Sequence, residues 1–287
     1  MIAEEPPIEE IAPLEGLSVE PQAPERIVSP EVEQGWVVDS FGFLYADESG
    51  HVQAMDIDGV PSTMDSEVTT GCAHEDFEAD ALASGVDHQF LRVIGLFESL
   101  FPGGIADQII SNSAKDGSMT LVFVHADERL KAIIAEDAPL TGSDGEVLAF
   151  STFRPYADER YHAEFETSDL EGGSVLAGPG DLRLRLNIQI VEADLFLSDA
   201  YISLQVTEDG GAKGVIQGFW SKESIVEILA STSAHLLALG YTREEFEDAL
   251  AQFADGALDE GGLCQALSAA FRFTAKPAYL MTEGQTP

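Results

Sequence analysis

The sequence predicts an α+β protein built mainly on antiparallel β-sheet, most simply a β-sandwich with several helices packed at one end or one face. Three observations support this prediction. Between residues 118 and 206, segments that alternate apolar and polar residues follow one another without regular helices between them. Such alternation is typical of strands with one buried face, whereas a parallel doubly wound sheet needs a helix after each strand. On both sides of this region, the apolar residues recur at helical spacing instead.

The chain of 287 residues divides into an acidic start and one folded domain. Residues 1–35 are rich in Glu and Pro and poor in aromatic residues, so we predict a disordered or extended linker. Residues 36–287 form the predicted β-rich domain. Its first strand is expected in GWVVDSFGFLYAD, where large apolar residues recur from Trp36 to Tyr45.

Helices are expected near residues 88–112 and 222–255. The first segment has one apolar face and is interrupted by the helix-breaking run PGG. In the second, Ser221 is the expected N-cap, and Thr242 and Glu245 have the spacing of a capping box.

Two strand segments carry the clearest alternation and are expected to line the core. The first contains Leu182, Leu184, Leu186, Ile188 and Ile190, and the last strand contains Phe271, Phe273 and Ala275.

Acidic residues dominate the charge of the chain. Asp and Glu total 52 against 14 Lys and Arg, which gives a formal net charge of -38. Such a surface repels nucleic acid and anionic lipid headgroups, so neither is an expected partner. It attracts cations and basic partners, and it fits either an exported protein or the cytoplasm of a salt-adapted organism.

The N-terminal sequence has no basic region followed by an apolar one, and no stretch approaches the roughly 18 apolar residues of a membrane-spanning helix. The chain is therefore cytoplasmic or the mature form of an exported protein. Its acidic, proline-rich start is similar to the tether behind a lipoprotein anchor. This similarity favours a periplasmic or extracellular location, with a lipid anchor as an option.

Cys72 and Cys264 are the two cysteines of the chain. In an exported protein they are expected to form a disulfide, which would stabilise the fold by about 4–5 kcal/mol in the chain-entropy model. In a cytoplasmic protein they would be two unrelated buried thiols.

The stretch AMDIDGVPSTMDSEV gathers carboxylates around a Gly and a Pro. Calcium takes about six to eight hard oxygen ligands, and an Asp-rich loop supplies them. The EF-hand pattern fails, because Val60 and Pro61 stand where an oxygen ligand and a Gly are needed. The alternative is an ordinary Asp58-Gly59 turn with solvated carboxylates.

The order DIDG, GCAHEDF and GVDHQFLR resembles a group of uncharacterised secreted or lipoprotein-like proteins of Gram-negative bacteria, myxobacteria among them. The similarity runs from about Asp56 to CQALSAAFRFTAKPA and carries no known activity, and His88 stands where the group has Asn. It implies an exported, calcium-compatible fold with Cys72 oxidised. The candidate metal ligands that it implies are Asp56, Asp58, Asp65, Asp76 and Asp87.

Asp87 also has a plainer interpretation, as the N-cap of a helix that starts at His88. Zinc at Cys72, His74 and Asp76 is not expected, because a disulfide would remove the thiolate. The cluster FRPYADERYH is either a sugar- or anion-binding patch or a case of ordinary cross-strand pairing with neighbouring acids, and we favour the pairing.

No nucleophile elbow or phosphate-binding loop is present in the sequence, and no catalytic residue is assigned. The leading hypothesis is a non-catalytic, calcium-stabilised binding or structural module of the cell envelope, with a glycan or protein partner. The alternatives are a secreted hydrolase of glycans or esters that uses an Asp/Glu acid–base pair, and an accessory subunit of a larger complex.

Overall fold

The structure is a computed structural model that describes residues 32–59, 74–78, 84–100, 105–170, 174–188, 191–230 and 242–282. A short 3₁₀ turn, Glu159–Tyr161, precedes the seventh strand. In chain order the strands and helices are β1 (Val32–Phe43), β2 (Phe77–Glu78), β3 (Ser84–Val86), α1 (Phe90–Leu100), α2 (Ile105–Asp116), β4 (Leu121–Ala126), β5 (Arg129–Ile134), β6 (Ser151–Phe153), β7 (His162–Leu170), β8 (Ser174–Ile188), β9 (Val191–Val206), β10 (Ala212–Ser221), α3 (Lys222–Ala230), α4 (Arg243–Ala251), β11 (Gly256–Leu258) and β12 (Cys264–Met281).

Eight antiparallel strands of the described chain close into a β-barrel in the order β1, β4, β5, β7, β8, β9, β10 and β12. The ring closes where β12 pairs with β1, from Val32 opposite Met281 to Phe43 opposite Phe271. The predicted β-sandwich is therefore wrong. Alternation of apolar and polar residues indicates that a strand has one buried face, which is true of both a barrel and a sandwich. The pair that closes the barrel joins two strands far apart in the sequence, so no local pattern predicts it.

The inward faces of the strands form one apolar core. As the alternation predicted, this core contains Leu182 and Leu184 of β8 and Phe271 and Phe273 of β12. The structure does not describe the side chain of Leu186, and Ile190 is outside the described residues. Helix α2 contacts both β1 and β8, which stand on opposite sides of the ring. It therefore crosses the barrel between opposite walls, and its residues Ile110 and Ala114 join the core.

Two further layers cover parts of the outer wall. Residues 135–153, here the covering segment, bury Val147 and Phe153 against the outward side chains of β1, β4 and β5. Its last residues, strand β6, pair in parallel with the end of β12. On another part of the wall, Val52 and Val86 pack on Ala270. This second layer carries the acidic loop.

The described parts of the helices have nine to twelve residues. In the part of the chain that the structure describes, no helix is long and apolar enough to cross a membrane. The Ser221 hydroxyl accepts the backbone N–H of Ser224 at 3.2 Å, as expected of an N-cap of α3.

The predicted capping box of α4 is confirmed, because the Thr242 hydroxyl accepts the N–H of Glu245 and the Glu245 carboxylate accepts the N–H of Thr242. Thr242→Ala should lower the free energy of unfolding by about 1 kcal/mol, the usual value of an N-cap. Urea denaturation checks this value. Thr141→Ala, at an exposed position of the covering segment outside any helix, is the control, and an equal loss there would contradict the capping explanation.

Candidate cation site

Three carboxyl groups converge at the outer surface of the barrel. Ligand oxygens of Asp56, Asp58 and Asp87 all lie within 4.8 Å of one another. Asp56 and Asp58 are open to solvent, whereas Asp87 is only 4% exposed. The site thus has a buried floor and an open side.

Backbone contacts hold Asp87 under the acidic loop. Its Oδ2 accepts the N–H groups of Ile57 at 2.7 Å and Asp58 at 3.1 Å, and its own N–H donates to the Met55 carbonyl at 3.1 Å. Helix α1 begins at Phe90 and not at His88. The predicted N-cap role of Asp87 is therefore wrong, because its carboxylate binds the loop instead.

Gln217, 1% exposed on β10, fastens the loop to the barrel wall. Its Oε1 accepts the N–H of Met55 at 2.8 Å, and its Nε2 donates to the carbonyls of Met55 at 2.6 Å and Asp87 at 3.0 Å. One amide side chain thus fixes both segments that carry the carboxylates. The sequence analysis missed Gln217, since a Gln in an alternating strand has no signal that separates a buried amide from an exposed one.

Asp255 adds a fourth carboxyl group nearby. It accepts the N–H of Ser268 at 2.7 Å and the Ser268 hydroxyl at 2.5 Å. Burial, with a contribution from the charge of Asp58, raises the pKa of Asp255 to about 7. Sequence reasoning missed this residue too, because it is one of 52 acids and lies almost 200 positions from the loop.

Burial also raises the pKa of Asp87 to about 8, and the negative charges of Asp58 and Asp255 add to the effect. A carboxyl group in this state holds its proton at neutral pH unless a positive charge replaces it. Three converging carboxylates are suited to a hard divalent cation, for which calcium would take its remaining oxygens from water and backbone carbonyls. The arrangement can therefore exchange protons for a cation.

The other residues predicted for this site are placed as follows. Asp76, beside β2, is not one of the three converging carboxyl groups. Asp65 and Cys72 lie outside the described residues. Cys264 begins β12, and its disulfide with Cys72 stays a prediction.

His88 is next to the site but serves the fold. It is fully buried, its Nε2 lies 2.8 Å from the Leu44 carbonyl, and its Nδ1 accepts the N–H of Ala270 at 3.2 Å. The partners require a neutral ring with the proton on Nε2. Because both nitrogens are engaged with the backbone, His88 is not available as a metal ligand.

Elsewhere in the described chain, the arginines of the FRPYADERYH cluster contact neighbouring acids. Arg154 lies 2.8 Å from Asp137 and Arg160 lies 2.6 Å from Asp158. The predicted cross-strand pairing is confirmed for Arg154, which joins two paired segments, whereas Arg160 pairs within its own turn.

No protein-family model matches the chain, no curated protein matches it in sequence, and no solved structure matches its fold.

Proposed function

We propose that the protein is an exported, non-catalytic module of the cell envelope that binds or supports another envelope component, and that calcium stabilises it. The observation that carries the calcium proposal is the convergence of Asp56, Asp58 and Asp87 within 4.8 Å over a buried floor. The buried Asp87 carboxyl group, so close to two other carboxylates, is unfavourable as an anion unless a cation joins them.

Two features support the location and the role. The acidic, proline-rich start has the composition of a tether, and the motifs around the site resemble those of secreted, lipoprotein-like proteins. A net charge of -38 favours surroundings that supply divalent cations or salt. A calcium-stabilised barrel with its loop fixed to the wall suits a rigid supporting or binding part.

Native mass spectrometry with and without EDTA tests the cation directly. We expect one calcium ion per chain, lost in EDTA, and a melting temperature that rises with calcium because the ion binds only the folded state. The same spectra report whether the two cysteines are oxidised. Magnesium, which prefers smaller octahedral sites, should stabilise the protein less.

Asp58→Asn tests whether the ion occupies this site. The variant should lose the calcium response and keep the fold, since Asp58 is exposed. Asp127→Asn, the same chemical change in the exposed β4–β5 turn, is the matched control. An unchanged melting temperature in EDTA, with no calcium mass on the wild-type chain, would remove the cation from the proposal.

The hydrolase alternative has weaker support in the described residues. A cavity of about 340 Å³ contains Glu33 and Glu164, but each faces a cation at 2.9 Å, Lys131 and Arg129 respectively. Acids held in this way are poor candidates for an acid–base pair. An accessory-subunit role requires an exposed apolar surface, and the covering segment has one.

A further inference from the structure

The covering segment exposes three large apolar side chains, which we call the apolar patch: Leu140 (64% exposed), Leu148 (46%) and Phe150 (62%). Thr141 and Val147 pair across the hairpin, and Val147 is buried against the barrel wall. Because side chains alternate along a strand, the neighbouring pair Leu140 and Leu148 must face outward together. The exposure follows from the hairpin register.

Phe150 is unfavourable for folding in two respects. Its side chain is mostly exposed, and its backbone has a φ of 62°, a left-handed conformation that suits Gly or Asn and disfavours an aromatic residue. Its ring lies 6.4 Å from that of Tyr279, which fixes it on the surface without burying it. A residue that neither packing nor backbone conformation explains indicates a role in binding.

A cavity of about 450 Å³ opens beside the patch. Leu140, Phe153 and Met281 line it, and Asp137 and Arg154 stand in its wall. An exposed apolar surface next to a recess of this kind is typical of a site that takes one large side chain of a partner.

The rim of the patch is acidic. Between Lys131 and Arg154 the sequence has no basic residue, and it has four acids: Glu136, Asp137, Asp144 and Glu146. Arg154 lies 2.8 Å from Asp137 and 3.7 Å from Glu136, and Lys115 lies 3.0 Å from Glu146. Four acids therefore face two cations. Like charge disfavours both a second copy of this chain, which carries -38, and an anionic membrane, whereas a positive partner is attracted.

We propose that the apolar patch docks a basic amphipathic segment of a partner protein, with an apolar side chain seated at Leu140 and Phe150 and lysine or arginine residues facing the acidic rim. The apolar contact supplies affinity, and the charges supply orientation and rate of encounter. This surface is separate from the carboxylates of the cation site, so the inference does not depend on calcium.

Two peptides of identical leucine and lysine composition serve as probes, one with the amphipathic order and one scrambled. Fluorescence anisotropy at physiological salt should show about tenfold tighter binding of the amphipathic peptide. The double variant Leu140→Ser with Phe150→Asn should weaken that binding about tenfold. Leu263→Ser is the matched control, since Leu263 is 66% exposed beside acidic residues in the β11–β12 turn, and it should leave the affinity unchanged.

The melting temperatures of the variants distinguish a loss of peptide binding from a loss of folding. Phe150→Asn should have a melting temperature equal to or above that of the wild type, because Asn adopts the left-handed conformation more readily. The proposal is overturned if both peptides bind alike, or if the Leu263 control loses as much affinity as the patch variant. It is also overturned if the patch variants change the mass of the protein in solution or its binding to anionic vesicles instead of its binding to the peptide.

Discussion

Replacing Asp87 with asparagine should stabilise the calcium-free protein at pH 8 and abolish its response to calcium. Burial and two neighbouring carboxylates raise the pKa of Asp87 from 3.8 to about 8. The folded state thus keeps a proton that the unfolded state releases, so this group lowers stability as the pH rises from about 4 to about 8. Asparagine keeps an oxygen for the N–H groups of Ile57 and Asp58 without the charge, and we expect a gain of roughly 2–4 kcal/mol.

The pH profile of unfolding checks this result. In EDTA, wild-type stability should fall between about pH 4 and pH 8, because Asp87 and Asp255 both hold protons in the folded state. His88 opposes this trend between pH 4 and 6.5, since burial lowers its pKa to about 4 and the unfolded state takes up its proton first. Burial also lowers the pKa of His74, so two imidazoles oppose the trend below about pH 6.5. Above that pH the two carboxyl groups act without this opposition, and stability should fall most clearly there. Saturating calcium should flatten the fall, because the ion takes the place of the protons.

Urea denaturation of Asp87→Asn at pH 5 and at pH 8, with calcium and with EDTA, completes the comparison. Asp127→Asn should show the same change of stability with pH and with calcium as the wild type. If Asp87→Asn proves less stable than the wild type at pH 8 in EDTA and still responds to calcium, the carboxyl group is a structural acceptor and not a cation ligand.

His88→Leu should lower the free energy of unfolding by about 3–5 kcal/mol, since it leaves two buried backbone groups without partners. The imidazole bridges the Leu44 carbonyl and the Ala270 N–H, where β1 has ended and β12 continues. It therefore replaces a missing rung of the β1–β12 ladder. Leucine fills a similar volume but can neither donate nor accept a hydrogen bond.

Chemical denaturation near pH 7 measures this loss. His88→Asn keeps a donor and an acceptor, and its free energy of unfolding should fall between those of the wild type and His88→Leu. His125→Leu is the control, because His125 is half-buried with a weak contact of 3.4 Å to Thr167. Equal losses at positions 88 and 125 would show that the bridge contributes nothing specific.

Local chemistry accounts for what the sequence predicted correctly about the fold. The capping box at Thr242 and Glu245 involves residues three positions apart, and the burial of Leu182 and Leu184 follows from a period of two. Barrel closure depends on a pairing between β1 and β12, for which no local pattern exists. The alternation of apolar and polar residues, which fits both architectures, therefore led to the wrong prediction of a β-sandwich.

In the cation site, too, the residues that are close in sequence were predicted and those brought in from distant parts of the chain were not. Asp56 and Asp58 share one short motif, and Asp87 was drawn into the prediction by the resemblance. Gln217 and Asp255 come from strands and turns far along the chain, and they reach the loop only through the barrel wall. In so acidic a chain, the useful signal is burial of a carboxyl group, and burial is a property of the tertiary structure.

The seam between β1 and β12 also bears on how the protein forms. Strand β12 contacts β1, β6, β10 and β11, yet it follows all of them in the chain. During synthesis, the edge of β1 that pairs with β12 must stay open until β12 has left the ribosome, although the other edge can pair with β4 earlier. Contacts between such distant segments slow folding. We therefore expect a nascent chain that needs protection from aggregation until β12 has paired with β1.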